Sequence, residues 1–331
     1  MRVMQLTEYG PNARFSASDW PDPQPGPGQV RLRVVSSSLN PLELKIRFGQ
    51  VAAGPELPAL LNADVAGYVD QLGEGVTAFQ PGDAVIGCAG GLKGTQGALA
   101  DFMLADARLL SLAPRQLPLT EAGTLPLATL TAWSGLIERA ALQSGERVLV
   151  HGATGGVGHF AVQIAKACGA EVHARVSTPA KAEIARQLGA DQVSLYTEES
   201  IEEAVTRLTQ GQGYDLVFDS VGGECLAQSM TAAAVGARVV SINTRSTQDL
   251  SLMHSKGLSL HVVFRALPLL TGQGRDQEAA QLAQIVQLVD AGLIRPWIAE
   301  KRFGFHQINE AHDYLASGQA IGKVLLTHEG I

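Results

Sequence analysis

The sequence predicts an α/β protein that combines a β-rich unit with a doubly wound parallel sheet. Two patterns along the 331 residues support this prediction. Short β-like runs separated by Pro and Gly turns fill residues 1 to about 120, whereas strands alternate with helix-spaced runs from about 125 to 262. Such alternation is typical of a parallel sheet with helices on both faces. A chain of this length also favours two domains over a single core.

The β-rich unit is indicated by turn clusters that flank alternating runs. WPDPQPGPGQVRLRVVSS places a Pro/Gly-rich stretch before an alternating strand. GYVDQLGEGVTAFQPGDAVIG is typical of two strands joined by Gly and Pro turns. These patterns predict an all-β or barrel-like unit.

The strand–helix alternation begins with the buried strand RVLVHGA and a helix-spaced run after it. The elements that follow are EVHARV, AKAEIARQLGA, QVSLY, IEEAVTRLTQG, DLVFDSV, CLAQSMTAAAV and ARVVSIN. An amphipathic helix at about 276–291 and a last strand, GKVLLT, complete the chain. We expect that strand to return to the first unit. The predicted domains are residues 1–122 with 295–331, which are discontinuous, and residues 123–294.

Composition excludes several function classes. The net charge of −7 and the pI near 5.6 argue against a nucleic-acid or anionic-membrane surface. The three cysteines, Cys88, Cys168 and Cys225, form no C-x-x-C pair, which fits a reducing compartment. The N-terminus lacks the apolar region of a signal peptide, and no run is long enough to span a membrane. We therefore expect a cytoplasmic protein.

A glycine-rich loop, HGATGGVG, follows the first strand of the alternating region. Its spacing is G-x-x-G-x-x-G with one extra glycine, and Gly155, Gly156 and Val157 are expected to approach the ligand. Such a turn brings backbone amides to a pyrophosphate at a helix N-terminus. Glycines that merely pack a tight turn are the alternative, but consecutive strand–helix units favour a dinucleotide. A P-loop is excluded because no Gly-Lys-Ser/Thr follows.

The order of these parts resembles the medium-chain dehydrogenase/reductase superfamily, and within it the zinc-free quinone oxidoreductase branch. The matching stretches are SLNPLELKIRFG, LNADVAGYVDQLGEGVTAFQPGDAV, LPLATLTAW, HGATGGVG, LGADQVSLY, VFDSVGG and IGKVLL. They span nearly the whole chain in the same order. The resemblance implies a GroES-like β-barrel catalytic domain, a Rossmann doubly wound parallel-sheet domain, and a homodimer.

The resemblance also argues against zinc. Zinc-dependent relatives hold the catalytic metal through Cys, His and Cys, and the matching places here are Asn40, Ala63 and Leu127. The structural zinc of those relatives needs four cysteines where this chain has only Cys88. Without a Lewis acid, alcohol oxidation is disfavoured, whereas reduction of a quinone or an enone remains feasible. The expected partner is a small-molecule acceptor of this kind.

Residue roles follow from the resemblance position by position. Asn40 and Asp64 are the implied catalytic residues. The implied cofactor contacts outside the glycine loop are Asn40, Thr131, Ser220, Val221, Asn243, Phe264 and Lys323, the last at the phosphates. Each has a structural alternative: a turn for Asn40, a helix start for Thr131, an exposed lysine for Lys323. Many relatives carry a substrate-facing tyrosine shortly after the stretch KIRFG, and because this chain has none, no proton donor is assigned.

The second strand of the alternating region indicates which dinucleotide is bound. NAD-specific folds place Asp or Glu at its end, but this strand ends HARVST, without an acid. By resemblance, Ser177, Lys181 and Tyr196 contact the adenosine phosphate, and Arg175 is a further candidate. These features predict NADPH. A lysine that is simply solvated on its helix is the alternative.

Three functions compete. The first is an NADPH-dependent quinone oxidoreductase, and the second is an enoyl or enone reductase of the same superfamily. The third is a non-catalytic NADPH-binding sensor. A short-chain-type reductase is excluded because no tyrosine has a lysine four residues later.

Overall fold

The computed structural model of the chain describes residues 1–329. Two compact units divide it. The first contains Met1–Leu130, Arg265–Gly292 and the described residues from 296 onward, and the second contains Thr131–Phe264 with Leu293–Arg295. These bounds differ from the predicted 1–122 with 295–331 and 123–294, mainly because residues 265–292 join the first unit.

The N-terminal part of the first unit is mostly strand. Its strands are β1 (Arg2–Gln5), β2 (Ser16–Asp19), β3 (Gln29–Leu39), β4 (Asp64–Leu72), β5 (Ala84–Cys88), β6 (Phe102–Asp106) and β7 (Leu110–Leu112). Its helices are α1 (Pro41–Arg47), α2 (Leu119–Ala122) and α3 (Pro126–Trp133), the last of which contains the boundary between the units. The 3₁₀ turn Ala107–Leu109 completes this part, and a π-helical segment, Ser134–Arg139, follows α3 at the start of the second unit.

The second unit alternates strands and helices. Its strands are β8 (Arg147–His151), β9 (Glu171–Val176), β10 (Gln192–Leu195), β11 (Tyr214–Asp219), β12 (Ala233–Ser241) and β13 (Ser259–Val262). Its helices are α4 (Gly158–Ala167), α5 (Pro179–Gln187), α6 (Ile201–Thr209), α7 (Glu224–Ala232) and α8 (Ser251–Lys256).

The chain then returns to the first unit with α9 (Leu267–Thr271), α10 (Arg275–Asp290), β14 (Phe303–Gly304), α11 (Ile308–Ala316) and β15 (Val324–Thr327). Helix α10 packs against β7 and the 3₁₀ turn before it, which explains why it belongs to this unit. Strand β15 covers the last four residues of the predicted run GKVLLT and pairs antiparallel with β3. The predicted return of the last strand is therefore observed.

The described residues of the first unit form a sheet of seven strands in the order β14-β15-β3-β4-β5-β7, with β6 also paired to β3. Its pairs are antiparallel except for β14 and β15. The long strand β3 carries three buried serines, Ser36, Ser37 and Ser38, near its C-terminal end. The strand ends at Leu39, and α1 begins at Pro41. Asn40 at the start of α1 and Asp64 at the start of β4 thereby come close together.

The second unit, within the described chain, has six parallel strands in the order β10-β9-β8-β11-β12-β13. The chain runs outward from β8 in one direction and then from β11 in the other, so the order reverses between these neighbours. Ligands of such sheets bind at the carboxyl ends of the strands beside this switch point. The predicted fold class, a GroES-like unit with a Rossmann-like parallel sheet, is confirmed. Among residues 1–329 no helix is long and apolar enough to cross a membrane.

Candidate active site

The glycine loop joins the carboxyl end of β8 to the start of α4. Gly152 has φ +66°, and a Cβ on Gly158 would lie 2.1 Å from the Gly152 carbonyl oxygen. Glycine is therefore required at both positions, one for backbone conformation and the other for close packing of helix on strand.

The loop also presents unpaired amides. Among residues 1–329, the amides of Gly156 and Val157 donate to no backbone carbonyl, and Gly155, Gly156 and Val157 are partly exposed. Free amides at a helix N-terminus attract anions, because the helix dipole adds to their partial charges. These predicted residues fit the pyrophosphate of a dinucleotide.

Two further predicted contacts lie beside this loop. A Cβ on Gly152 would lie 2.6 Å from the Ser220 hydroxyl oxygen and 3.0 Å from a Val221 methyl group, so the turn after β11 packs against the loop. Asn243, after β12, donates from its side-chain amide to the Val221 carbonyl at 2.9 Å. The structure thus brings together the predicted contacts from β8, β11 and β12.

The end of β9 gathers the three residues predicted to recognise the 2′-phosphate. Ser177 follows β9, Lys181 lies in the first turn of α5, and Tyr196 follows β10. Thr197 links the two strand ends by donating to the Ser177 carbonyl at 2.8 Å. In the described part of the chain, the Ser177 hydroxyl, the Lys181 ammonium and the Tyr196 hydroxyl take part in no hydrogen bond or ion pair, and Tyr196 is 55% exposed.

Arg175 does not join them. It is buried, and its guanidinium donates to the Ser194 hydroxyl at 3.2 Å and to the Glu199 carbonyl at 2.8 Å. Its candidate role as a phosphate contact is therefore not supported. A cavity of about 540 Å³ opens beside Tyr196, and its lining includes Glu198, Glu199 and Glu202. This acidic lining disfavours a phosphate inside the cavity.

Thr131 and Phe264 occupy different settings within the second unit. Thr131 lies inside α3 and is only 7% exposed, so the alternative of a helix-start residue is wrong. Phe264 follows β13 and is 44% exposed. Their predicted contacts with the cofactor stay predictions.

In the first unit, four buried side chains form a connected group that we call the polar cluster: Asn40, Glu43, Asp64 and Lys323. Each is at most 5% exposed. The Asn40 side-chain amide donates to Asp64 at 2.9 Å and to Glu43 at 3.4 Å. The Lys323 ammonium donates to the Asn40 side-chain oxygen at 2.5 Å and to Asp64 at 3.3 Å. Both predicted catalytic residues thus lie in one network.

The chemistry of the partners determines how the Asn40 amide is oriented. Its oxygen must face Lys323, which can only donate, and its NH₂ group must face the two carboxylates, which accept. The third bond of the Lys323 ammonium goes to the Leu39 carbonyl at 3.2 Å. All three ammonium hydrogens are therefore engaged inside the first unit. This geometry does not fit the predicted contact between Lys323 and the cofactor's phosphates, nor the alternative of an exposed lysine.

Glu43 is the member of the cluster that sequence reasoning missed. Its carboxylate accepts the Asn40 backbone amide at 2.9 Å and the Ala63 amide at 3.2 Å. Its burial, together with the neighbouring Asp64, raises the pKa of Glu43 to about 7, although Lys323 and the amides oppose this shift. The available signal was its place three residues after Asn40, which is the spacing of a helix-capping box.

The three places matched to zinc ligands converge on this cluster. Asn40 belongs to it, the Ala63 amide bonds to Glu43, and the Leu127 amide donates to Asp64 at 2.7 Å. Side chains at these places offer one amide and two apolar groups, which are not the thiolate and imidazole ligands of zinc. Across residues 1–329, no group of three or more His, Cys, Asp or Glu residues is arranged to hold a metal ion.

Two protein families match this chain. The family described as alcohol dehydrogenase GroES-like domain matches residues 26–115, and the family described as zinc-binding dehydrogenase matches residues 188–326.

Among known proteins, the mitochondrial NAD(P)H oxidoreductase RTN4IP1 of Mus musculus is 34% identical over 91% of this chain and 82% of its own length. The spectinabilin polyketide synthase system protein NorB of Streptomyces orinoci is 35% identical over 91% of this chain. This chain spans only 13% of the length of NorB.

Solved structures agree over almost the whole length. An alcohol dehydrogenase superfamily protein from Novosphingobium aromaticivorans superimposes with a TM-score of 0.95 at 36% identity, covering 99% of this chain and 100% of that chain. A quinone oxidoreductase from Pseudomonas syringae gives 0.86 at 26% identity, covering 98% and 99%. The CurK enoyl reductase gives 0.85 at 27% identity, also covering 98% and 99%.

The matched families cover the β-rich unit and much of the parallel sheet, and the RTN4IP1 relative covers nearly the whole chain. The motifs, the strand order and these similarities agree. The chain therefore belongs to the medium-chain dehydrogenase/reductase superfamily, as a member of the quinone oxidoreductase type.

Proposed function

We propose that this protein is an NADPH-dependent oxidoreductase that transfers a hydride to a quinone or a similar electron-poor acceptor without a metal ion. The general activity, that of an NAD(P)H oxidoreductase, is supported by the RTN4IP1 relative and the quinone oxidoreductase structure. The observation that carries the choice of NADPH is the group of three unengaged polar side chains beside the β9 end, Ser177, Lys181 and Tyr196.

The second unit would bind the cofactor through groups already in place. The amides of Gly156 and Val157 would hold the pyrophosphate, while Ser177 and Lys181 would hold the 2′-phosphate. The last residues of β9 and the two that follow it, residues 175–178, include no Asp or Glu that could accept a ribose 2′-hydroxyl or repel a phosphate. When bound, the reduced nicotinamide supplies the hydride, and the protein's task is to orient it and exclude water.

The choice of acceptor is supported by the first unit. Alcohol oxidation in zinc-dependent relatives relies on a Lewis acid that stabilises the alkoxide. The matching places here lie around Glu43 and Asp64, and their side chains are Asn40, Ala63 and Leu127. A quinone or enone is already electron-poor, so it needs less stabilisation of developing charge. We therefore infer reduction of such acceptors rather than oxidation of alcohols.

An enoyl or enone reductase is the second candidate. Similarity to the CurK enoyl reductase favours it. This activity would use the same cofactor and the same polar cluster, and would differ only in the acceptor.

These functions are distinguished by a panel of substrates. Quinones, enones and aldehydes are tested with NADPH and NADH, and alcohols are tested with the oxidised cofactors. Oxidation of NADPH, followed by absorbance, should be faster with quinones than with any other acceptor. Faster reduction of enones would favour the enoyl reductase function. Efficient alcohol oxidation without a metal would contradict the proposed mechanism. Tight NADPH binding without turnover of any acceptor would favour a non-catalytic sensor instead.

A further inference from the structure

Asp219, the last residue of β11, is fully buried and holds the turn that follows it. One carboxylate oxygen accepts the amides of Val221 at 2.9 Å and Gly222 at 2.8 Å. The other accepts the Ser241 hydroxyl of β12 at 2.9 Å. A single side chain thus fixes two successive amides of the turn and ties them to the neighbouring strand.

The turn is also held from both sides. The Ser220 hydroxyl donates to the His151 carbonyl of β8 at 2.7 Å, and the Asn243 amide donates to the Val221 carbonyl at 2.9 Å. Gly222 has φ +81°, and a Cβ there would lie 2.1 Å from the Asn243 carbonyl oxygen. The backbone therefore has little freedom, while the Val221 side chain is left 50% exposed at the carboxyl edge of the sheet.

The strand order shows which part of a dinucleotide would meet this turn. Strand β8 carries the glycine loop and lies between β9 and β11. In the proposed function, the pyrophosphate binds at that loop and the adenosine phosphate binds at the β9 end, beside Ser177 and Lys181. The nicotinamide half of the cofactor must then extend in the opposite direction, towards β11 and β12, where it meets the Ser220–Gly222 turn.

We propose that Asp219 is a positioning residue for the nicotinamide half of the cofactor. This inference rests on the proposed binding of NADPH. Asp219 is buried and would not touch the cofactor. It acts through the two amides that it holds, which keep Ser220 and Val221 in the binding geometry before the cofactor arrives. Preorganisation of this kind lowers the ordering cost of binding.

The test compares two ligands. NADPH contains both halves of the cofactor, whereas adenosine 2′,5′-bisphosphate lacks the nicotinamide half and reaches only the β9 end and the glycine loop. Dissociation constants for both are measured by calorimetry on the wild type, Asp219→Ala and Asp219→Asn. Asp219→Ala should bind NADPH about tenfold more weakly, because both amides of the turn lose their acceptor. It should bind the bisphosphate within about twofold of the wild type, because the β9 end is unchanged.

Asp219→Asn is the conservative variant. Its remaining side-chain oxygen can accept both amides, and its NH₂ group can donate to the Ser241 hydroxyl, so NADPH affinity should stay within about threefold of the wild type. Should Asp219→Ala not fold, Ser241→Ala carries the same test. This variant removes the hydrogen bond from Ser241 that helps to hold the Asp219 carboxylate in place. NADPH should therefore bind severalfold more weakly, and the affinity for the bisphosphate should not change.

Three outcomes separate the possibilities. Unchanged NADPH affinity in a folded Asp219→Ala overturns the inference, as does unchanged affinity in Ser241→Ala if Asp219→Ala does not fold. An equal loss of both ligands also overturns it, because Asp219 would then support the whole sheet rather than one half of the site. A wild-type chain that binds neither ligand overturns the proposed function itself, and the inference falls with it.

Discussion

At the scale of single residues, helix α5 carries two cationic side chains, Lys181 and Arg186, whose effects on cofactor preference can be compared. Lys181 in its first turn has no ion-pair partner in the described chain, whereas Arg186 in its last turn lies 3.5 Å from Glu183. Both lie on one helix, but only Lys181 is beside the end of β9. Replacing either residue with alanine removes the same charge from the same element.

We predict that Lys181→Ala lowers the preference for NADPH over NADH. A charge-assisted contact at a partly exposed site contributes about 1.4 kcal/mol, so the ratio of kcat/KM for the two cofactors should fall about tenfold. Arg186→Ala is the matched control and should leave this ratio unchanged. Equal use of both cofactors by the wild type, or an unchanged ratio in Lys181→Ala, would refute the assignment.

Glu43 gives a prediction about pH. Its pKa is raised to about 7 in the folded chain, from an ordinary value of 4.5, so the folded state binds this proton more tightly than the unfolded state. The contribution of Glu43 to the free energy of unfolding should therefore fall as pH rises from about 4.5 to about 7. The total change is on the order of 3 kcal/mol at most.

Urea unfolding between pH 5 and pH 8 measures this effect. Glu43→Gln should be less stable than the wild type at acidic pH. Its single side-chain oxygen can accept only one of the Asn40 and Ala63 amides, and its NH₂ group cannot accept the other. The stability of this variant should, however, vary less with pH. The exposed Glu224→Gln is the control and should keep the slope of the wild type. An identical slope in Glu43→Gln would show that another group is responsible.

At the scale of elements, the junction of β8 and α4 depends on two differently placed glycines. A Cβ on Gly158 would lie 2.1 Å from the Gly152 carbonyl oxygen, whereas a Cβ on Gly155 would lie 3.2 Å from the same atom. We predict that Gly158→Ala lowers the free energy of unfolding by about 1–3 kcal/mol, because helix and strand must separate. Gly155→Ala is the control and should lose less than half as much. Equal Tm values for the two variants would contradict this account.

Elements with a regular pattern were predictable, and contacts between distant segments were not. The period of hydrophobic residues predicted the alternating strands and helices of the second unit, since that period is a local property. The role of Lys323 was not predictable locally, because its partner Asn40 lies 283 positions away. The helix-start alternative for Thr131 is wrong, because Leu125, which directly precedes α3, is not a capping residue type that would mark where the helix begins. The sequence does not point to Asp219, because its contacts are with backbone amides of the turn, and no residue pattern marks these.

At the scale of the whole molecule, metal content tests the interpretation of the polar cluster. Asn40, Ala63 and Leu127 each donate a hydrogen bond to Glu43 or Asp64, and the Lys323 ammonium donates to Asp64. We predict no stoichiometric zinc by elemental analysis and no effect of chelators on NADPH oxidation. One tightly held zinc ion per chain, lost together with activity, would contradict the metal-independent mechanism.

The last prediction concerns assembly. The resemblance implies a homodimer, and within residues 1–329 strand β13 pairs with β12 alone, leaving one edge of the parallel sheet unpaired. Val262 at the end of β13 is 41% exposed, and Phe264, two residues after the strand, is 44% exposed. Unpaired strand edges with apolar side chains readily pair with another chain, and a second copy can do so about a twofold axis. We therefore predict a dimer that forms through β13.

A proline at Val262 tests this edge. Val263 donates its amide to Ser241 of β12 at 3.0 Å, so the alternation along a strand directs the Val262 amide away from β12. Val262→Pro should remove a hydrogen bond between copies while sparing the β12–β13 pairs, and should yield a monomer by light scattering after size exclusion. Val262→Thr keeps the amide and the shape, and should remain dimeric. A monomeric wild type would refute the predicted dimer. A dimeric Val262→Pro would refute only the pairing of two copies through β13, because that pairing needs the Val262 amide.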